Sequence, residues 1–183
     1  VYSLEMAKAL SVHKDCKLQV IVSSRISNLN AWNNAFENSN VDFHVIDTYK
    51  RSALSALIHS FNLIKQEKLV ALIKAFDAEI LYLPFGLMWA RYVFFRLHNK
   101  LRIISTIHDV VSHDKWYKRS IAELGSWLLN IGSDNFVHGH IVLNTKDANH
   151  VKQKTGKDVC VIPHASFGYY FHEINNYEVN LKK

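Results

Sequence analysis

Short apolar runs alternate with helix-period segments along almost the whole chain. The opening stretch, 1–12, places Leu4, Ala7 and Leu10 on one face, which predicts a helix already under way at the first residue. The β-branched run LQVIVS (18–23) predicts a buried strand, and 28–38 a short helix capped at Ser27 or Asn28. FHVID (43–47) predicts a second strand. A long helix over 51–76 follows, with Leu54, Leu57, Ile58, Phe61, Ile64, Leu69, Leu72, Ile73 and Phe76 recurring at threes and fours. A third strand over 80–83 is stopped by Pro84 and Gly86, and 89–98 predicts a helix with Trp89, Tyr92, Val93 and Leu97 on its core stripe. RIISTI (102–107) predicts a fourth strand, 119–136 a helix and 141–143 a fifth strand. A helix over 145–154 closes at Gly156, and a sixth strand over 159–162 ends at Pro163.

Strands that are apolar throughout and spaced by helices predict a parallel sheet covered on both faces. Right-handed crossovers then give an α/β fold: a doubly wound, Rossmann-like, mainly parallel sheet. The pattern predicts no internal repeat, no low-complexity segment and no second core. From 167 onward the periodicity fades into a polar tail. The expected organisation is one domain over 1–166 and a linker over 167–183. In such sheets ligands bind beyond the carboxyl ends of the strands, which directs attention to the residues at each strand exit. These are Ser23-Ser24-Arg25, Asp47-Thr48, Pro84-Phe85-Gly86, His108-Asp109, Asn144-Thr145 and Pro163-His164.

His108 is the most informative of them, because an imidazole just past a buried strand can donate to or accept from a hydroxyl or phosphate near neutral pH. The plainer reading is that His108 bonds a neighbouring carbonyl while Asp109 begins a turn. His138 and His140 stand two apart, but no third ligand has metal-site spacing, so they read as helix-end and loop histidines.

Composition narrows the classes. The 183 residues suffice for one domain with a sizeable core, and no apolar run reaches the roughly 20 residues of a membrane span. A net charge of +6 suggests an anionic partner, but the cations are dispersed, with no stripe of the kind nucleic-acid binders carry. Cys16 and Cys160 lie far apart, and Cys160 sits in an apolar run where a buried thiol is expected; neither suggests a disulfide framework, and the expected compartment is the cytoplasm. Arg91, Phe95 and Arg96, with Trp116, Lys118 and Arg119, combine aromatic and basic character, as a peripheral contact with an anionic membrane surface would. No dinucleotide fingerprint, P-loop or nucleophile elbow is present.

Three segments, in this order and spacing, resemble the N-terminal domain of glycosyltransferase family 4, the acceptor-side half of a GT-B fold. They are YSLEMAKAL; the pair EILYLPFG and LRIISTIHDVV; and HIVLNTKDANHVKQKTGKDVCVIPHASF. The resemblance implies retaining transfer of a sugar from a nucleotide-sugar to a saccharide or lipid-linked acceptor, as in cell-surface polysaccharide or glycolipid synthesis, without a metal. It places His108 beside donor sugar and acceptor hydroxyl. Asp109, Phe85, Gly86, Asn144, Thr145 and His164 become cleft-lining, substrate-binding positions. Ala165 stands where the family has glycine. It also implies that a first strand with a glycine-rich loop lies before Val1. A nucleotide-sugar domain would follow Lys183, so this half alone is expected to bind no cofactor and to be inactive. The expected location is cytoplasmic, at the inner face of the membrane if peripheral. A second class of reading is a non-catalytic α/β ligand-binding or regulatory module.

Overall fold

The computed structural model describes residues 2–48, 61–85, 87, 89–108 and 132–163. Within them α1 (Tyr2–Ser11), β1 (Gln19–Ser23), α2 (Leu29–Phe36), β2 (Asp42–Ile46), α3 (Leu63–Phe76), β3 (Ile80–Leu83), α4 (Ala90–Leu97), β4 (Arg102–Ile107), a 3-10 turn (Ser133–Phe136), β5 (Gly139–Val142), α5 (Thr145–Thr155) and β6 (Asp158–Val161) follow one another. All pairings are parallel, and every strand exits at the same edge. The strands form two sheets, β1-β2 and β3-β4-β5-β6, rather than one. The fold is α/β with helices on both faces, consistent with a Rossmann-like, doubly wound arrangement.

Alternation along the strands assigns the faces. Val20 and Val22 of β1 and Phe43 of β2 turn to one side, where they meet Leu4 and Ala7 of α1 and Trp32 and Phe36 of α2. Ile21 and Ile46 turn to the other. There they join Leu81 and Leu83 of β3, Ile103 of β4, Leu69, Val70 and Ile73 of α3, and Val93, Phe94 and Leu97 of α4. There are thus two buried clusters, one on each face. A sheet covered on both faces requires one on each side.

Several local readings are corrected. The helix expected over 51–76 does not run unbroken: Asn62 leaves helical geometry and its side chain accepts from the Lys65 amide, so α3 starts there. An asparagine inside an apolar helical pattern is a cap as readily as an interior residue; residues 49–60 lie outside the described part. The described end of the helix expected over 119–136 is a 3-10 turn preceded by Gly132 at φ 74°; 119–131 are not described. β5 begins at Gly139, because Gly139 and His140 pair with Ile104 and Ser105, and this places His140 in the strand and not in a loop. Phe94, which the helical pattern put off the core stripe of α4, is 3% exposed. Cys160 lies on the outward face of the edge strand β6, so its thiol is exposed rather than buried, and both cysteines are free.

Gly156 ends α5 at φ 67° with its amide bonded to the Lys152 carbonyl, the left-handed terminus the sequence predicts. In the α1/α2 cluster Phe36 is 2% exposed, between Trp32 and Phe43 at ring distances of 5.9 and 5.8 Å. Phe36→Ala should therefore lower unfolding free energy in urea by about 3–5 kcal/mol; a loss below about 1 kcal/mol would mean that this cluster does not hold α2 to the sheet.

Candidate functional site

The carboxyl edge of the four-stranded sheet is built from the exits of β3 and β4. Leu83 pairs with Ser105, so Pro84 and Phe85 leave the sheet beside Ile107 and His108. The imidazole of His108 is fixed on three sides. Its Nε2 donates to the Pro84 carbonyl at 2.6 Å, since a carbonyl can only accept. Its plane stacks on Phe85, with centroids 4.6 Å apart and planes 6° apart. The Tyr2 ring meets it edge-on at 5.9 Å and 88°.

Beneath the imidazole a hydroxyl chain ties helix to sheet. The Tyr82 hydroxyl lies 2.9 Å from Thr106 Oγ1 and 3.5 Å from the Tyr2 hydroxyl. Burial, reinforced by the Tyr82 hydroxyl, pushes the Tyr2 phenol well above its ordinary value, so it remains a neutral hydroxyl. Tyr2 and Tyr82 were not among the residues singled out from sequence. Tyr82 sits mid-strand and Tyr2 opens a helix, and only the packing of α1 against β3 brings both to His108.

Of the sequence-predicted positions, Phe85 and His108 come together. Asn144 and Thr145 lie at the exit of β5, where Asn144 caps α5: its Oδ1 accepts from the Asp147 amide at 2.9 Å and its Nδ2 donates to the Asp147 carboxylate at 2.6 Å. That capping accounts for Asn144 without a ligand. Gly86, Asp109 and His164, and the membrane-face candidates Trp116, Lys118 and Arg119, lie outside the described residues. Arg91 and Phe95 are exposed on α4, but the Arg96 guanidinium is bonded to the Glu67 carboxylate and the Tyr92 hydroxyl. Among the described residues no helix is long and apolar enough to cross a membrane.

A second polar group gathers at the exits of β1 and β2. Ser23 Oγ lies 2.8 Å from Thr48 Oγ1, and Lys65 Nζ donates to the Asp47 carboxylate and carbonyl at 3.0 and 3.2 Å. The Lys65 hydrogen bond holds the Asp47 carboxyl below its usual range. The Lys65 contacts join α3 to the exit of β2. At the opposite, amino edge, His98, Phe136, His138, Lys157 and Asp158 line a shallow open cleft. Its Lys157 amine is turned onto the Asn135 and Val137 carbonyls, and His138 Nδ1 accepts from the Ile103 amide at 3.0 Å. Among the described residues no group of three or more His, Cys, Asp or Glu is placed to hold a metal ion.

Compared with protein-family models, curated proteins and solved structures, the chain matches none.

His140, 2% exposed in β5, is the buried titratable group below this edge, with Nδ1 3.0 Å from Ser105 Oγ. Burial pushes its imidazole below the ordinary 6.5, with opposing smaller effects from Asp134, which raises it, and Lys157, which lowers it further. The folded chain thus keeps His140 neutral while the unfolded chain protonates first as pH falls. Its contribution to stability is complete above about pH 6.5 and is lost on acidification through the folded value. The melting temperature of the wild type should fall more steeply between pH 7.5 and 5.5 than that of His140→Gln, both followed by circular dichroism; equal slopes would contradict a buried neutral imidazole. Asn144→Ala should cost about 1 kcal/mol in urea unfolding through loss of the α5 cap, with no loss indicating that Lys146 and the first turn need no cap.

Proposed function

We propose that this chain is the acceptor-side domain of a retaining glycosyltransferase. In this reading the carboxyl edge around His108 receives a saccharide acceptor and a further domain presents the nucleotide-sugar donor. The observation that carries it is the clamped imidazole of His108 beside Phe85, whose ring is 51% exposed at the mouth of a parallel sheet. One face of Phe85 is taken by His108, and an exposed aromatic edge and face suit the apolar C–H side of a sugar ring. The neighbouring imidazole supplies a directed acceptor for a hydroxyl, which is the pairing of apolar and polar groups that saccharides require.

In the transfer, the acceptor hydroxyl oxygen forms a bond to the anomeric carbon as the bond from that carbon to the nucleotide diphosphate breaks. The diphosphate leaves with the electron pair, on the face where the hydroxyl arrives, and its freed oxygen takes up the hydroxyl proton. His108 would orient and polarise the hydroxyl by a hydrogen bond, with its contact to the Pro84 carbonyl limiting rotation of the ring. The diphosphate would be met by groups outside the described residues. Arg91 and Phe95, exposed on α4, support a peripheral contact with anionic lipid on the cytoplasmic side if the acceptor is lipid-linked.

The test is saturation-transfer NMR of the chain with a panel of mono- and oligosaccharides. At least one should bind, and His108→Ala or Phe85→Ala should weaken it about 3- to 10-fold, the worth of one neutral hydrogen bond or a modest apolar contact. Far-ultraviolet circular dichroism should be unchanged in both variants. Failure of every saccharide to bind, or equal binding by the variants, would overturn the reading.

A further inference from the structure

The cleft at the amino edge of the four-stranded sheet lies opposite His108 and has a chemistry of its own. It encloses about 360 Å3, near the lower end of small-ligand pockets. Side chains there complete the bottom of the β4-β5 ladder. The His138 amide donates to the Ile103 carbonyl, and the Ile103 amide donates back to His138 Nδ1, which stands in for a strand carbonyl. The Asn135 and Val137 carbonyls both accept from the Lys157 amine. The chain thus lodges an ammonium of its own against the floor of this cleft. One full charge in the lining is left unmatched: the Asp158 carboxylate carries no ion pair or hydrogen bond among the described residues.

The groups around that carboxylate favour a cation too. α4 and α5 both finish at the cleft, at His98 and Gly156, so the negative ends of two helix dipoles meet there. The wall is aromatic. Phe136 lies 4.9 Å from His98 and 5.8 Å from Phe95, ring centre to ring centre, and Phe95 at the rim is 58% exposed. Ring faces attract cations, and a planar cation stacks on them. His98 Nδ1 donates to the Phe95 carbonyl at 2.9 Å, so Nε2 of the neutral ring is an acceptor. A carboxylate holds a guanidinium through two parallel hydrogen bonds, a pairing that an ammonium cannot make. We infer that this cleft is a second binding site, one for a guanidinium group held by Asp158 and stacked on the wall of His98 and Phe136. Lys157 already fills the place an ammonium would take, and what remains is flat and acidic. The guanidinium is that of a small free molecule or of an arginine side chain on a partner. The site is separate from the edge at His108 and stands whether or not that edge binds saccharides.

The experiment is a proton–nitrogen NMR titration of the 183-residue chain with ethylguanidine and, separately, with the capped peptide acetyl-Gly-Arg-Gly-amide. Ethylammonium, charged but not planar, and ethylurea, planar but not charged, are the controls. At least one guanidinium probe should shift the Gly156, Lys157 and Asp158 amides saturably, and bind about 3-fold or more tightly than either control. A response to ethylguanidine means that a free small cation suffices; a response to the peptide alone assigns the site to a partner's arginine. Asp158→Asn should weaken the binding about 5-fold, and Phe95→Ala about 2- to 5-fold. Both residues are exposed, so each variant should keep the far-ultraviolet circular dichroism of the wild type. Either control matching the guanidinium probe would overturn the inference, as would binding that Asp158→Asn leaves unchanged. No saturable shift with either guanidinium probe, or shifts confined to residues away from the cleft, would overturn it as well.

Discussion

Parallel pairing of backbone groups constrains everything else in this molecule. A strand buried between helices has no water for its amides and carbonyls, so it must be flanked by strands on both sides. Parallel neighbours also oblige the chain to return across a face before the next strand, and here α2 makes that return from β1 to β2, α4 from β3 to β4 and α5 from β5 to β6. The same rule sends every strand exit to one edge, and so brings Pro84, Phe85 and His108 together although 24 positions separate Pro84 from His108. Among the described residues β1 and β3 are not paired with one another, and α1 reaches across to Tyr82 of β3.

The candidate site follows from the β3-β4 register more than from any loop. A one-residue slip would turn Tyr82 and Thr106 out of line and separate the hydroxyl chain that holds α1. The Pro84 carbonyl has no strand partner to serve, and the imidazole of His108 serves it instead. Thus the feature that orients the histidine is the same proline that ends β3. Phe85, half exposed beside it, is one of several large apolar side chains at the surface, and its place against His108 distinguishes it from the others.

Much of this was legible in the sequence. Six strands along the chain and their parallel, buried character follow from β-branched runs such as LQVIVS and RIISTI, and the left-handed close of α5 from Gly156. What was not legible depends on contacts distant in sequence. Nothing local distinguishes Asn62 as a cap from Asn62 as an interior helix residue, and the choice is made where α3 packs under β1 and β3. Cys160 reads as buried in an apolar run, yet β6 is an edge strand and turns the thiol outward. His140 reads as a loop residue until Gly139 pairs with Ile104. His108 could be located from the pattern at the end of a strand, and the plainer reading, a bond to a neighbouring carbonyl, is what Pro84 supplies; its ring contacts with Tyr2 and Phe85 could not be read.

The central claim is that His108 is a ring locked by Pro84 and directed at a hydroxylated ligand. Long-range proton–nitrogen NMR of the 15N-labelled imidazole tests it most directly, because the two ring nitrogens report separately. The account predicts a proton on Nε2, held by the Pro84 carbonyl, and imidazole resonances that move on titration with a saccharide that binds. An Nδ1–H tautomer, or ring resonances indifferent to every saccharide tried, would contradict it.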